Sequence, residues 1–208
     1  MGHTALHCAV AFKQYDAVWT LLKLGAECTV TADAGMTPLH LALGCGALKI
    51  ADLLVAHGAS LLAVTDEMPD EDAYTPLQYA VRAGQLAALE HWRDRELVDW
   101  QLKTSARQWT LLHIACLHGD VDLVHYLLRH GGGEAVNAVA ADGATPLWIA
   151  AEHGHLGAVQ RLLGEGAELE TWTTADGVTP LLAAARRGHV DVALALIARG
   201  ANTSSPRS

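Results

Sequence analysis

The 208-residue sequence lacks any stretch of about 18 consecutive apolar residues, the length that a helix needs to cross a bilayer. Its first residues also lack the basic segment, apolar segment and small-residue cleavage site of a secretory leader. These absences argue against a membrane protein and against export. We therefore expect an intracellular, cytoplasmic protein, with the nucleus as a second compartment.

Cysteine is scarce and irregularly spaced. The four cysteines form no CxxC pair, and no small secreted framework surrounds them: Cys8, Cys28, Cys45 and Cys116. Disulfide-rich domains and structural zinc sites both depend on closely spaced cysteines. We expect free thiols in a reducing compartment.

Positive charge is also in deficit, with 14 Lys and Arg against 23 Asp and Glu and a formal net charge of −9. Binding to nucleic acid or to an anionic membrane depends on cations that neutralise phosphates. The sequence therefore predicts neither kind of partner. Phe occurs once, whereas 51% of the residues are hydrophobic, as is typical of a soluble helical protein with small side chains.

The sequence does contain one pattern that recurs in six similar segments. Equivalent threonines are spaced 33, 38, 35, 35 and 34 residues apart, with a leucine two residues after each threonine and an alanine five residues after it. A period of about 33 residues predicts an array of one supersecondary unit. The threonines are Thr4, Thr37, Thr75, Thr110, Thr145 and Thr179.

Spacing within one unit predicts two short helices. Thr145 can cap a helix that begins at Pro146, and Gly154 can end it. Apolar residues at offsets 11, 14, 17 and 18 from the threonine then form one helical stripe, which includes Leu156 and Val159 in this unit. The residues that lead to the next threonine are rich in Asp, Gly and Thr and suit a turn.

The segment DGATPLWIAAEHGHLGAVQRLLGEGAELE, residues 142 to 170, resembles an ankyrin repeat, as does the TPLH motif at Thr37 to His40. The resemblance implies an all-α repeat solenoid of stacked helix-turn-helix pairs, with β-hairpin fingers along one edge. We expect one domain over 2–203 and a flexible tail over 204–208. The repeats are expected near 2–34, 35–72, 73–107, 108–142, 143–176 and 177–203.

The resemblance also implies a function. It favours a non-catalytic scaffold or adaptor that binds a protein or peptide through its fingers and the concave face of its first helices, and we expect a monomer. The alternative is a regulatory or targeting module of a larger signalling enzyme or ubiquitin-ligase adaptor. An ankyrin-like surface does not identify its partner, because the scaffold is shared and the target is not.

Aromatic residues in the fingers are the expected anchors of the partner, because Trp, Tyr and Arg dominate binding hot spots and a turn has no core of its own. Tyr74 and Trp109 directly precede capping threonines, and Trp172 lies in the middle of a finger. In proteins that the sequence resembles, the residues before the first-helix glycine face the concave groove. That set supplies the rest of the expected surface: His118, Glu152, His153, Arg186 and Arg187. Its variety suits recognition, although surface positions also vary when nothing binds.

The 12 histidines raise the question of a metal or catalytic site. No HExxH motif and no Cys and His cluster at zinc spacing occurs, so we expect no metal, no cofactor and no enzyme activity. His7, His40 and His113 occupy the TPLH position, where the resemblance implies hydrogen bonds to the neighbouring repeat. A groove enzyme around His118 and His153 is the remaining catalytic alternative.

Three further features have two interpretations each. Asn137 resembles the finger asparagine that oxygenases hydroxylate in some ankyrin repeats, or it simply fixes a turn. Trp92 and Arg93 make the third repeat irregular, which indicates either a helix that runs on or a docking surface. The acidic segment 60–74 is either a solvated loop or a contact for a basic partner.

Overall fold

The computed structural model describes residues 2–66, 72–93, 99, 101–131, 136–173 and 177–204. Within these ranges the chain forms twelve α-helices and no strand, one helix pair for each repeat. The predicted all-α repeat fold is confirmed. The helices are α1 (Ala5–Ala11), α2 (Tyr15–Lys23), α3 (Pro38–Gly44), α4 (Leu48–Ala56), α5 (Pro76–Arg82), α6 (Leu86–Trp92), α7 (Leu111–His118), α8 (Val121–His130), α9 (Pro146–Glu152), α10 (Leu156–Gly164), α11 (Pro180–Arg187) and α12 (Val190–Ala198).

The chain divides into two compact units, residues 1–99 and 100–208, with three helix pairs in each. In the first unit α3 packs against α1 and α5, and α4 packs against α2 and α3. In the second unit α9 packs against α7 and α11, and α10 packs against α8, α9 and α12. The expected single domain over 2–203 and the tail over 204–208 stay predictions.

Each first helix begins directly after its threonine because that residue satisfies backbone groups that the helix leaves unpaired. The Thr37 hydroxyl accepts a hydrogen bond from the His40 backbone N–H, and the His40 imidazole accepts one from the Thr37 backbone N–H. The same reciprocal cap occurs at Thr75, where Gln78 takes the place of histidine. Two unpaired donors are therefore satisfied at the start of these helices.

Alanine five residues after the threonine allows the first helices to approach closely. Ala42, Ala80, Ala115, Ala150 and Ala184 are fully buried. Larger apolar side chains from the second helices fill the remaining space, as the offsets in the sequence predict. Burial of this kind supplies most of the stability of short helices, which are marginal in isolation.

Trp92 is fully buried at the end of α6, so the irregular third repeat uses this tryptophan as a core residue. The residues that would show whether the helix runs on, 94–98, lie outside the described ranges. Most of the acidic segment 60–74 is described, but its charged centre at 67–71 is not.

Histidines in the TPLH position tie the first, second and fourth repeats to the repeat that follows each of them. In the first unit, the His7 Nε2 atom lies 3.0 Å from the Met36 carbonyl oxygen, and the His40 Nε2 atom lies 2.9 Å from that of Tyr74. In the second unit His113 contacts the Ala144 carbonyl at 3.3 Å. Nδ1 accepts a hydrogen bond in every case, so each ring is neutral and carries its proton on Nε2.

Burial lowers the pKa of these three histidines because a charged imidazole would lose its hydration. The effect is largest for His113, where burial lowers the pKa from 6.5 to about 4. The predicted structural role of the TPLH histidines is therefore visible in both their hydrogen bonds and their protonation.

The fingers are turns that are each closed by one equivalent backbone hydrogen bond. Ala32 donates to Met36 at 2.8 Å, and Ala140 donates to Ala144 at 2.9 Å. Neighbouring fingers also bond to each other, as the Ala141 N–H does to the Arg107 carbonyl at 2.9 Å. Because no strand is assigned in the described finger residues, their β-hairpin character stays a prediction.

Candidate binding groove

The second unit carries a groove between its fingers and its first helices. The groove consists of two adjoining clefts of about 510 and 250 Å³, which share Trp148 and Glu152 in their walls. The larger cleft extends from the finger at Arg107 to His153 at the end of α9. The smaller one extends from Trp148 to Arg186 and Arg187 on α11.

Two tryptophans form the aromatic part of the floor. The Trp148 indole N–H donates to the Val178 carbonyl at 2.9 Å, so its ring is held across two repeats. The Trp109 ring stacks on His113 with centroids 6.3 Å apart, and the Arg107 guanidinium lies 5.0 Å from its centroid. These contacts fix both rings before any partner arrives.

The rim is polar and charged. Arg187 and Glu152 form an ion pair of 2.7 Å that joins α11 to α9. His153 is exposed, and its Nδ1 atom lies 2.9 Å from the Ile149 carbonyl oxygen. Arg186 is exposed beside this pair. Because the Arg187 side chain is 62% exposed, the ion pair orients the rim more than it stabilises the fold.

The structure brings several of the residues expected from the sequence into this groove. Trp109, Glu152, His153, Arg186 and Arg187 line its two clefts. His118 is exposed at the end of α7, and Trp172 is 51% exposed in the finger between the fifth and sixth repeats, but neither lines these two clefts.

Tyr74 and Trp109 are only 4% and 7% exposed, so neither ring projects from its finger, and their role as partner anchors stays a prediction. The base of each finger is tied to the neighbouring first helix, which brings the ring under the finger. For Tyr74 the carbonyl accepts the His40 bond and the N–H donates to the Thr65 hydroxyl. Tyr74 also belongs to the first unit, whereas the groove belongs to the second.

Sequence reasoning missed Trp148 and Arg107. Trp148 occupies the TPLH histidine position, where its indole replaces the imidazole as the donor to the next repeat. A comparison of that one offset across the six repeats would have identified it. Arg107 has no comparable signal, because it lies in a turn whose conformation is set by contacts between fingers.

Chemistry beyond binding has little support in the part of the chain that the structure describes. There, no three or more His, Cys, Asp or Glu side chains are placed to hold a metal ion. Burial raises the pKa of the Cys116 thiol, which keeps it protonated and a poor nucleophile. No described helix is both long enough and apolar enough to cross a membrane.

Asn137 has a structural partner. Its side-chain oxygen accepts a hydrogen bond from the Glu168 backbone N–H at 2.9 Å, which joins the loops of neighbouring repeats. This contact supports the turn-fixing interpretation. Hydroxylation of Asn137 stays a prediction.

Family models match most of the chain. The model "Ankyrin repeats (3 copies)" matches residues 29–92, 86–171 and 112–206, and the model "Ankyrin repeat" matches residues 1–33. Among curated relatives, the nuclear factor NF-kappa-B p105 subunit of Gallus gallus is 33% identical over 172 residues, which are 81% of this chain and 17% of that protein. Ankyrin repeat and SOCS box protein 16 of Homo sapiens is 34% identical over 176 residues, 81% of this chain and 37% of that protein.

Solved structures show the same architecture. The ankyrin repeat domain of Bcl-3 has a TM-score of 0.76 at 28% identity, with 98% of this chain and 89% of that one covered. The human ASB11 ankyrin repeat domain has a TM-score of 0.80 at 27% identity, with 96% and 85% covered. The chain thus spans nearly all of these isolated domains but well under half of the two curated relatives.

Proposed function

The chain belongs to the ankyrin repeat family, and we propose that it binds a protein or peptide through the groove of its second unit. Ankyrin repeat domains are generally protein interaction modules, and the fold is a non-catalytic module in the relatives above. The observation that carries the proposal is the continuous groove with Trp109 and Trp148 in its floor and Arg186 and Arg187 at its rim.

The composition of the groove fits a protein partner. Protein interfaces are enriched in aromatic residues and Arg at the centre and are polar at the rim. Because hydrogen bonds and stacking already hold the tryptophan rings, binding would cost little side-chain entropy at the floor. The half-exposed Trp172, together with His118, would extend the surface beyond the clefts.

The partner would be bound by a monomer that has no affinity for nucleic acid. The net charge of −9 supports the second point, since phosphate binding requires an excess of cations. An intracellular location, cytoplasmic or nuclear, belongs to the same proposal.

The test is affinity capture from cells of the source organism, followed by titration of the captured protein with purified full-length chain. Replacing Trp172, Arg186 and Arg187 together by Ala should weaken binding at least about 100-fold, as loss of a hot-spot cluster does. Trp148→His should also weaken binding while keeping an N–H donor toward Val178, because three of the other repeats carry histidine there.

Val190→Ala is the matched control, because Val190 is 67% exposed and does not line the groove. It should bind like the wild type. Equal binding by the triple variant, with its helical content intact, would remove the groove as the site.

The alternative function is that of a regulatory or targeting module within a larger polypeptide. It is favoured by the coverage of the curated relatives, of which this chain spans 17% and 37%. An antibody raised against the chain should then detect a native polypeptide far heavier than 22.1 kDa in cell extracts. A band at that mass alone would leave the simple adaptor as the better account.

A further inference from the structure

The first repeat departs from the other five in the loop between its two helices. Nine residues after the threonine, five repeats carry a glycine in the left-handed conformation, with φ between 68° and 79°. The first repeat carries Lys13 there, with φ of 54°. A side chain in this conformation is strained, and such strain is concentrated at functional sites. The five glycines are Gly46, Gly84, Gly119, Gly154 and Gly188.

A second departure lies next to the first. Ten residues after the threonine, several repeats carry a side chain that covers the glycine of the preceding repeat. A Cβ atom on Gly46 would lie 2.6 Å from Gln85 Oε1, and one on Gly154 would lie 2.5 Å from His189 Nδ1. The second repeat has only Ala47 at this offset, so nothing comparable covers Lys13.

These two departures leave a cleft of about 690 Å³ in the first unit. Its walls include Lys13, Tyr15, Ala47, Leu48, Lys49 and Ile50. The volume is within the range of about 300–1,000 Å³ that is usual for ligand sites.

The charge of the cleft is opposite to that of the protein. Two lysines line it, and no Asp or Glu is among its described lining residues. Neither Lys13 nor Lys49 forms an ion pair with another described residue. The floor between them is apolar.

Exposed aromatic side chains adjoin the cleft. Tyr15 in its wall is 44% exposed, Phe12 beside Lys13 is 75% exposed, and Trp19 one turn along α2 is 46% exposed. The chain has only 11 aromatic residues, and this helix pair exposes three of them. Exposed aromatic groups of this kind mark interaction sites.

We propose that this cleft binds an acidic segment of a partner protein, with a bulky apolar side chain seated between Lys13 and Lys49. The two ammonium groups would contact carboxylates on either side of the apolar anchor. An anionic membrane fits the site less well, because a bilayer cannot enter a concave cleft and the net charge of −9 repels it. The cleft lies in the first compact unit and the groove in the second, so an experiment can reject either site without rejecting the other.

The test uses the full-length chain, immobilised and panned against a displayed random peptide library. Two variants restore what the other repeats carry. Lys13→Gly restores the glycine, and Lys13→Gly combined with Ala47→His also fills the cleft as His155 and His189 do elsewhere. Because the histidine then covers a glycine, neither variant should impair folding. The expected result is enrichment of peptides with Asp or Glu beside Leu, Phe or Trp on the wild type.

Enriched peptides would then be synthesised and titrated by fluorescence anisotropy. Lys13→Gly combined with Ala47→His should weaken their binding at least about tenfold, and Lys13→Gly combined with Lys49→Gln should do the same. Arg186→Ala, in the groove of the other unit, should leave it unchanged. Enrichment of no peptide, enrichment of peptides without acidic residues, or undiminished binding by the variant with both Lys13→Gly and Ala47→His would each overturn the proposal. So would binding to phosphatidylserine vesicles that depends on both lysines in the absence of any selected peptide.

Discussion

The two compact units are built from the same helix pair but depart from the repeat at different places. In the second unit the departures lie on the first helices and fingers, where Trp148 replaces histidine and Arg186 and Arg187 form the rim. In the first unit they lie in the loop between the helices, at Lys13 and Ala47. The shared positions maintain stacking in both units, and the positions that differ form the two surfaces at which we propose binding.

The largest effect on stability is expected from a substitution in the loop between α9 and α10 of the second unit. Gly154→Ala should destabilise the protein by about 3 kcal/mol, because it combines a left-handed backbone with a clash against the His189 ring. Urea denaturation measures the change. Gly188→Ala is the matched control, because its φ is similar at 79° but no atom lies within 4 Å of the added Cβ. Equal losses of stability in the two variants would show that the clash with the His189 ring contributes nothing.

An effect of similar size is expected from acid. The pKa of His113 falls from 6.5 unfolded to about 4 folded, so between these pH values the unfolded chain binds the proton and the folded chain does not. The stability that neutral His113 provides is complete above pH 6.5 and is lost as the pH falls to 4, by roughly 3 kcal/mol. His113→Gln should remove most of this pH dependence while keeping the cap, as Gln78 does in the first unit. Urea denaturation of the wild type and of His113→Gln at pH 7 and pH 4 measures the pH dependence of their stability. Equal losses of stability between pH 7 and pH 4 in the two proteins would show that His113 is not its source.

A gain of stability is expected in the first unit. Lys13→Gly should stabilise the protein by about 1 kcal/mol, because glycine adopts the left-handed conformation without steric cost. Lys13→Ala removes the same side-chain charge but keeps the strain, so it should give no comparable gain. If thermal denaturation ranks Lys13→Ala level with Lys13→Gly, charge rather than backbone conformation explains the effect.

The smallest effect concerns the rim of the groove. The ion pair between Arg187 and Glu152 should contribute less than about 1 kcal/mol, since one side chain is 62% exposed. A double-mutant cycle with Arg187→Ala and Glu152→Gln measures the coupling. A larger coupling energy would mean that the rim holds α9 and α11 together rather than serving recognition alone.

The fold was predictable from the sequence because its capping threonines, which recur in six repeats, and its first-helix glycines, which recur in five, are local signals. Part of the groove was also predictable, since Glu152, His153, Arg186 and Arg187 occupy equivalent offsets. The burial of Tyr74 was not, because its carbonyl bonds to His40 in the preceding repeat, a contact that no single segment reveals. Trp109 is held by a bond to Thr104 within its own finger, whose conformation the sequence pattern does not specify. Lys13 could have been found by comparing offsets. The cleft beside it could not, because it depends on the space that the small Ala47 side chain leaves open in the folded protein.

Within each unit, the bonds from the TPLH position run in one direction, from His7, His40, His113 and Trp148 to the finger of the next repeat. Opening the finger at Ala144 would therefore release His113 in the preceding repeat, whose pKa would then rise toward 6.5 and let it take up a proton. Opening the finger at Val178 would release only Trp148, which does not titrate. In mild acid, local unfolding within the second unit should thus propagate toward the N-terminus from the fifth repeat but not from the sixth. Hydrogen exchange at pH 5 would show this asymmetry as earlier loss of protection in α7 than in α9.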